Sequence, residues 1–309
     1  MQNIGIIYEF GDLKILRLDE DDLGRINKKE LSVFPVIQVY GRHPFGVYHP
    51  ENTTFYQRVN PDKDFLQNIR SKTEKKALLK NYRYIHDKGI KLSVKKATLE
   101  DYKKFEELYN KTTALKKRFL NISLKEQVFS KITGGMGAFF INATLNDKLL
   151  SSLFFYIRGT GESRKAAVTV RANKKIKELK SGLIGLIEVE LVKFCIKNKV
   201  LEISHGNSTN PAGIVDSTGT FEFKTRYGNT PFPAGMFLTT YIKSREVSLS
   251  ENIVFLTIGN DDLEYSIVCD EDKQEQYASR YLTKYVNKVR FVSWEDVETS
   301  YKAFIQKFV

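Results

Sequence analysis

The sequence predicts an α+β protein. A mixed, mainly antiparallel sheet is flanked by helices, entered through a β-rich N-terminal region and followed by a small α/β C-terminal appendage. Three observations predict it. Apolar strand-like runs at Gly137–Leu145, Lys148–Ile157 and Arg164–Ala172 are separated by Asn146-Asp147 and Arg158-Gly-Thr-Gly161, and strands joined by such tight turns read as an antiparallel meander. Helical spacing of apolar residues precedes and follows the meander, around 102–115 and 181–198. The chain has 309 residues, 41% of them hydrophobic, which suffices for a sizeable core and excludes disorder as the default state.

The elements follow in order. Short apolar runs at Ile4–Tyr8, Leu13–Leu18, Phe34–Tyr40 and Thr54–Val59 lie between Gly, Asp, Asn and Pro signals and read as strands. A helix is expected over 62–86, stopping at Gly89, with a strand over Ile90–Val94. Thr98-Leu-Glu-Asp101 reads as a capping box, and Tyr102, Phe105, Leu108 and Tyr109 continue behind it at helical spacing. A further helix is expected around Leu124–Ile132. After the meander, Leu183, Ile187, Leu191 and Phe194 form one stripe of a helix over Ser181–Asn198. Strands at Val200–Ser204 and Met236–Ile242 bracket a loop rich in Gly, Asn, Ser, Thr and Pro. The tail reads as strands at Ile253–Ile258, Tyr265–Cys269 and Val289–Val292 with helices over Glu271–Val286 and Trp294–Phe308. These readings divide the chain into a region 1–92 ending in a basic helix, a core 93–245 and an appendage 246–309.

Composition narrows the function classes. No run of about 18 apolar residues is present, so no membrane-spanning helix is expected, and the N-terminus lacks the basic and apolar regions of a secretory signal. Two cysteines, Cys195 and Cys269, are too few for a disulfide framework and sit in no metal-ligand spacing. A reducing, cytoplasmic setting and no metal are the expectations. His43 and His49, in Gly-Arg-His-Pro-Phe-Gly-Val-Tyr-His-Pro50, read as loop residues rather than ligands. The net charge of +12 suits a partner that is nucleic acid, anionic membrane or a small polyanion, or simply a soluble basic protein.

Two constellations stand out. Residues 70–104 hold twelve Lys or Arg against four acids, a net +8, with Tyr82, Tyr84, Tyr102 and Phe105 interleaved. The stretch reads either as a grip on phosphates or as a solvated helix face. Further on, Ile203-Ser-His205-Gly206 is followed by Phe221-Glu-Phe223-Lys224-Thr-Arg226-Tyr227-Gly228. Strand alternation here would put Phe221 and Phe223 on one face and Lys224 and Arg226 on the other. Two adjacent cations mark either an oxyanion or phosphate site or a charge-protected sheet edge.

The order of elements is similar to the fold of the Gcn5-related N-acetyltransferases (GNAT), and its detail resembles the Fem-type aminoacyltransferases and their FemAB-like relatives. The segments that carry the resemblance are Thr54-Phe-Tyr-Gln-Arg-Val59, Asp62-Lys-Asp64, Leu66-Gln-Asn-Ile69-Arg70-Ser-Lys72-Thr73, Lys88-Gly89-Ile90-Lys91-Leu92, Leu108-Tyr109 with Lys111-Thr112, and Phe223-Lys224-Thr-Arg226-Tyr227-Gly228. It covers about residues 50–245, with the N-terminal region as a partial second unit. Where the branch has Asp-x-x-Gly-Gly, this chain has Glu202 and Ser204-His205-Gly206. The resemblance implies transfer of an acyl or aminoacyl group from an activated, phosphate-bearing donor to an amine. The donor would be acyl-coenzyme A, an acyl carrier protein or aminoacyl-tRNA. Phe223, Lys224 and Arg226 would then lie at the donor's phosphate or the developing charge. Lys180, Ser181 and Gly182, at a helix start, would take a pyrophosphate or simply cap the helix. A backbone N–H on a splayed or bulged strand would polarise the donor carbonyl, with Val168 and Val170 as candidates. The base would be His205, Glu202 or Asp216; His205 has the suitable unperturbed pKa, or else is a turn residue bonded to backbone. The alternative class is a nucleic-acid- or RNA-binding protein with a degenerate transferase core, resting on the charge alone.

Overall fold

The computed structural model describes residues 5–10, 13–68, 72–113, 125–174, 176–177, 179, 182–207, 213, 223–224, 227, 230–245, 253–259, 262–282, 286 and 288–307. The chain divides into two compact units, one of residues 1–54, 207–222 and 232–309, the other of residues 55–206 and 223–231. Both are discontinuous in sequence, so boundaries read along the chain at 92/93 and 245/246 do not coincide with them.

In the first unit, β1 (Ile6–Phe10) and β2 (Leu13–Leu18) form an antiparallel hairpin. Two one-turn helices, α1 (Glu20–Leu23) and α2 (Lys28–Leu31), were too short to leave a periodicity, but Asp19 and Asn27 open them with capping boxes. β3 (Val36–Tyr40) then runs parallel to β2. β4 (Val47–Arg58) gives residues 47–54 to this unit. It contains His49 and Pro50, which corrects the loop reading of that stretch. The fourth position between β3 and β4 is taken by β10 (Thr230–Ile242), antiparallel to β3. Pro231, Pro233 and Gly235 interrupt the strand signal, which is why only Met236–Ile242 was legible.

The tail carries a small sheet and helices of its own, and its residues enter cores shared with N-terminal strands. β11 (Ile253–Gly259), β12 (Asp262–Val268) and β13 (Val289–Val292) form a small sheet, antiparallel then parallel. Phe255, Val268 and Trp294 share one core with Ile15, Val36 and Ile242. The last helix, Trp294–Lys307, buries Tyr301, Phe304 and Ile305 with Leu16, Leu31 and Ile37. A helix over Gln274–Tyr281 is shorter than the stretch expected to 286.

A buried polar chain crosses this unit. Arg17 Nε and Nη2 donate to Gln38 Oε1 at 3.2 and 3.0 Å, and Nη1 donates to Glu51 Oε1 at 2.5 Å. Gln38 Nε2 donates to Thr240 Oγ1. His49 Nδ1 must carry a proton, because its partner at 2.9 Å is the Pro50 carbonyl; Nε2 therefore accepts from Thr240 Oγ1 at 2.7 Å. Burial, assisted by Arg17, lowers the His49 pKa to about 4, so the ring stays neutral as a structural group.

The second unit contains the expected meander and its flanking helices. α3 (Lys72–Asp87) buries Glu74, Leu78, Asn81 and Ile85 along one face. Gly89, at φ +69°, ends it in the left-handed conformation a helix stop requires. β5 (Lys91–Lys96) follows. α4 (Leu99–Thr113) opens as read: the Asp101 N–H donates to Thr98 Oγ1 at 3.2 Å, and Thr98 N donates to Asp101 Oδ2 at 3.3 Å. A π-turn at Lys125–Phe129 leads into α5 (Ser130–Thr133). β6 (Gly137–Leu145), β7 (Lys148–Arg158) and β8 (Lys165–Asn173) are antiparallel neighbours, and β5 pairs with β6. Asn146 and Asp147 take φ of 48° and 58°, the left-handed pair a two-residue hairpin demands. α6 (Gly182–Lys197) is buried nearly all round, and β9 (Glu202–Asn207) returns parallel to β8. This order, β5-α4-β6-β7-β8-α6-β9 with only the last pair parallel, is the order expected from the sequence. Residues 55–58 of β4 lie beside β9.

Gly185 on α6 is a packing requirement. A methyl there would overlap Tyr227 Oη, and Tyr227 is buried, with its ring against Phe223 and its carbonyl accepting from Gln57 Nε2 at 2.9 Å. Gly185→Ala is expected to destabilise the protein by about 1–3 kcal/mol through overpacking. Adding Tyr227→Phe should recover part of that loss in a chemical-denaturation experiment; equal midpoints for Gly185→Ala and the unaltered chain would contradict the packing.

Candidate active site

The site is built by one extra residue. Along β7 and β8, Phe155 pairs with Val168 and Phe154 pairs with Val170, so Thr169 is a bulge. The bulge reverses the alternation of β8. Ala166 and Val168 face the core shared with α6, whereas Val170 and Ala172 face the core shared with α4. Arg171 therefore turns to the α6 side. The pairing of β8 with β9 runs from Lys165↔Glu202 to Ala167↔Ser204 and stops, although the strands continue to Asn173 and Asn207. Gly206, at φ +64°, bends β9 where a side chain would press on the Val168 carbonyl. From Val168 onward, the edge of β8 that faces β9 has no ladder partner among the described residues.

Four charged or titratable side chains meet on the α6 side of this opening. Glu188, in the middle of α6, is 2% exposed. Its Oε1 accepts from Arg171 Nε at 2.6 Å. Arg171 Nη2 donates to His205 Nδ1 at 2.7 Å, across the two strands. Lys224 is buried; its Nζ donates to the Gly206 carbonyl at 3.3 Å and lies 4.9 Å from the centre of the Phe55 ring. Burial, with Arg171 opposing and Glu188 partly compensating, holds the Lys224 pKa well below its ordinary value. Burial, then Arg171 and Lys224, likewise hold the His205 pKa well below the ordinary imidazole value.

The sequence-derived residues fare differently. His205 and Lys224 are brought together. Glu202 is not: it lies three residues before His205, on the opposite face of β9 and about 10 Å along it. Its carboxylate pairs with Lys165 Nζ at 2.7 Å, beside a cavity of about 550 Å³ that Arg58 and Arg164 also line. His205 does not fit the base reading, because a guanidinium N–H occupies the Nδ1 lone pair. Lys224 does not sit on an alternating strand. It and Phe223 are in helical conformation, and the Tyr227 N–H reaches the carbonyls of both. Val168 and Val170 flank the bulge. Gly182, at φ +63°, begins α6 beside Asn173. Lys180, Ser181, Asp216 and Arg226 lie outside the described residues.

Arg171 and Glu188 were not singled out. Glu188 had a signal: Leu183-Ile-Gly-Leu-Ile-Glu188-Val-Glu-Leu191 sets two acids two residues apart in an otherwise apolar run. Among the described residues, no group of three or more His, Cys, Asp or Glu is placed to hold a metal ion. No helix is long and apolar enough to cross a membrane among the same residues. Cys195 is no nucleophile, since burial pushes its pKa up to about 12.

No family model matches the chain, and no curated protein matches it. Among solved structures it is similar to L-PGS from Bacillus licheniformis, at 13% identity over 79% of this chain and 81% of that one, with a TM-score of 0.41. It is similar to the C-terminal domain (DUF2156) of a putative lysylphosphatidylglycerol synthetase from Agrobacterium fabrum, at 12% identity over 76% and 79% with a TM-score of 0.42. FemX matches at 12% identity over 75% of this chain and 82% of that one, with a TM-score of 0.44.

Proposed function

We propose that the second unit is the core of an N-acyltransferase that moves an acyl or aminoacyl group from an activated, phosphate-bearing donor to an amine. The observation that carries this reading is the opening of the β8–β9 ladder beyond Ala167 and Ser204, beside the Thr169 bulge. A backbone N–H within Val168–Val170 that points to the edge released from this ladder is a fixed dipole for a carbonyl that gains negative charge during attack. The acceptor nitrogen forms the new C–N bond as the bond from the acyl carbon to sulfur or oxygen breaks. The proton leaving the nitrogen needs an acceptor, and a buried lysine whose pKa is held well below its ordinary value suits that step. Lys224 takes this role rather than that of a fixed cation, and the proton passes on to the departing thiolate or alkoxide. Acyl-coenzyme A, an acyl carrier protein and aminoacyl-tRNA are the donor classes; Phe223 and the start of α6 at Gly182 are the donor contacts proposed.

The nucleic-acid alternative loses its stacking surface. In the basic stretch Tyr102 and Phe105 are buried, Tyr82 donates to Glu190 Oε1 at 2.9 Å, and Tyr84 packs against the core. A thermal-shift panel of coenzyme A, acetyl-coenzyme A and charged tRNA tests the proposal. Selective stabilisation by one activated donor is expected; no shift with any of them, alongside steeply salt-dependent RNA binding, would favour the alternative.

A further inference from the structure

The His205 ring has one nitrogen paired and one not. Nδ1 accepts from Arg171, whereas Nε2 is buried and has no hydrogen-bond partner among the described residues. We propose that Glu188 and Arg171 are positioning residues that fix His205 as the Nε2–H tautomer, and that this N–H donates to an acceptor oxygen of the bound ligand. Resting on the acyl-transfer reading, the oxygen is that of the acyl group in transfer.

A guanidinium can only donate, so a contact of 2.7 Å requires a bare lone pair on Nδ1. Glu188 holds the guanidinium from its other side through Nε. The competing arrangement, Nδ1–H toward Glu188 Oε2 at 3.5 Å, would set two N–H groups face to face at the shorter distance. A neutral ring with Nδ1 occupied carries its proton on Nε2. Leaving such a donor buried without a partner is costly, a cost that a ligand oxygen removes. An acyl oxygen only accepts, and it gains charge as the amine attacks, so the same N–H counts for more in the transition state than in the ground state. An ammonium or amide N–H in that position would repel it.

Two arms test this on the full chain. The first reads the tautomer without substrate. Nitrogen-15 spectra, with His205 assigned by its loss in His205→Gln among the four histidines, are expected to show Nε2–H from pH 5 to 8. Arg171→Met should give a tautomer mixture. An Nδ1–H ring, or an imidazolium titrating in that range, would overturn the proposal. The second arm measures transfer to hydroxylamine from whichever of acetyl-coenzyme A or charged tRNA stabilises the protein. His205→Leu is expected to lower kcat about 10²–10³-fold with KM little changed, and His205→Gln, which retains an N–H donor, to recover part of it. Unchanged kcat in His205→Leu would overturn the ligand assignment. An unaltered protein that shows the expected tautomer but transfers nothing would overturn the acyl-transfer reading, and the ligand assignment with it.

Discussion

Glu188→Leu is expected to lower stability by about 3–5 kcal/mol, because it strands a guanidinium in the interior. The carboxylate is 2% exposed and receives the Arg171 Nε at 2.6 Å, while the Arg171 side chain is only 20% exposed. Leucine fills the space and suits an apolar helix, so lost packing contributes little. The cost is that of the unpaired positive charge. The double variant Glu188→Leu/Arg171→Met should recover most of the loss, as apolar replacement of a whole buried pair often does. Denaturant midpoints of the two single variants and the double form a cycle that isolates the pair. A Glu188→Leu chain within about 1 kcal/mol of the unaltered one would mean that the pair does not hold the site together.

Lys224→Met should act in the opposite sense, on turnover rather than on stability. Methionine matches the length of the lysine's four-atom stem and lacks the amine. Its loss leaves the Gly206 carbonyl without its 3.3 Å donor, a cost of about 1–3 kcal/mol, but it also removes a group that Arg171 and burial both oppose in its charged form. If Lys224 takes the proton from the attacking amine, kcat should fall about 10²–10⁴-fold, the usual range for loss of a positioned acid or base. A melting temperature shifted by a few degrees with turnover unchanged would remove Lys224 from the mechanism.

Much of the fold was legible in the sequence because its signals are local. The turn at Asn146-Asp147 and the capping box at Thr98 depend on neighbouring residues, so strands β6–β8 and helix α4 emerge nearly at their observed bounds. What was not legible depends on distant partners. The tail shares its cores with β2 and β3, which lie more than 200 residues earlier. The Thr169 bulge was the costliest omission. Residues 165–173, Lys-Ala-Ala-Val-Thr-Val-Arg-Ala-Asn, alternate smoothly as written, and nothing in them announces that the faces exchange at Thr169. Without that exchange Arg171 falls on the wrong side, and neither its pair with Glu188 nor its hold on His205 can be inferred. Conversely, Phe223-Lys224 was read as a strand from alternation, and the turn it actually forms is closed by backbone bonds from Tyr227.

The backbone amides of Val168, Thr169 and Val170, followed by nitrogen-15 spectroscopy while acetyl-coenzyme A or charged tRNA is added, report on the donor at the place where it should bind. Large, saturable shifts centred on these three amides with one of the two donors are what an opened β8–β9 edge predicts. Saturated donor binding that leaves all three unmoved, or no binding of either donor, would contradict it.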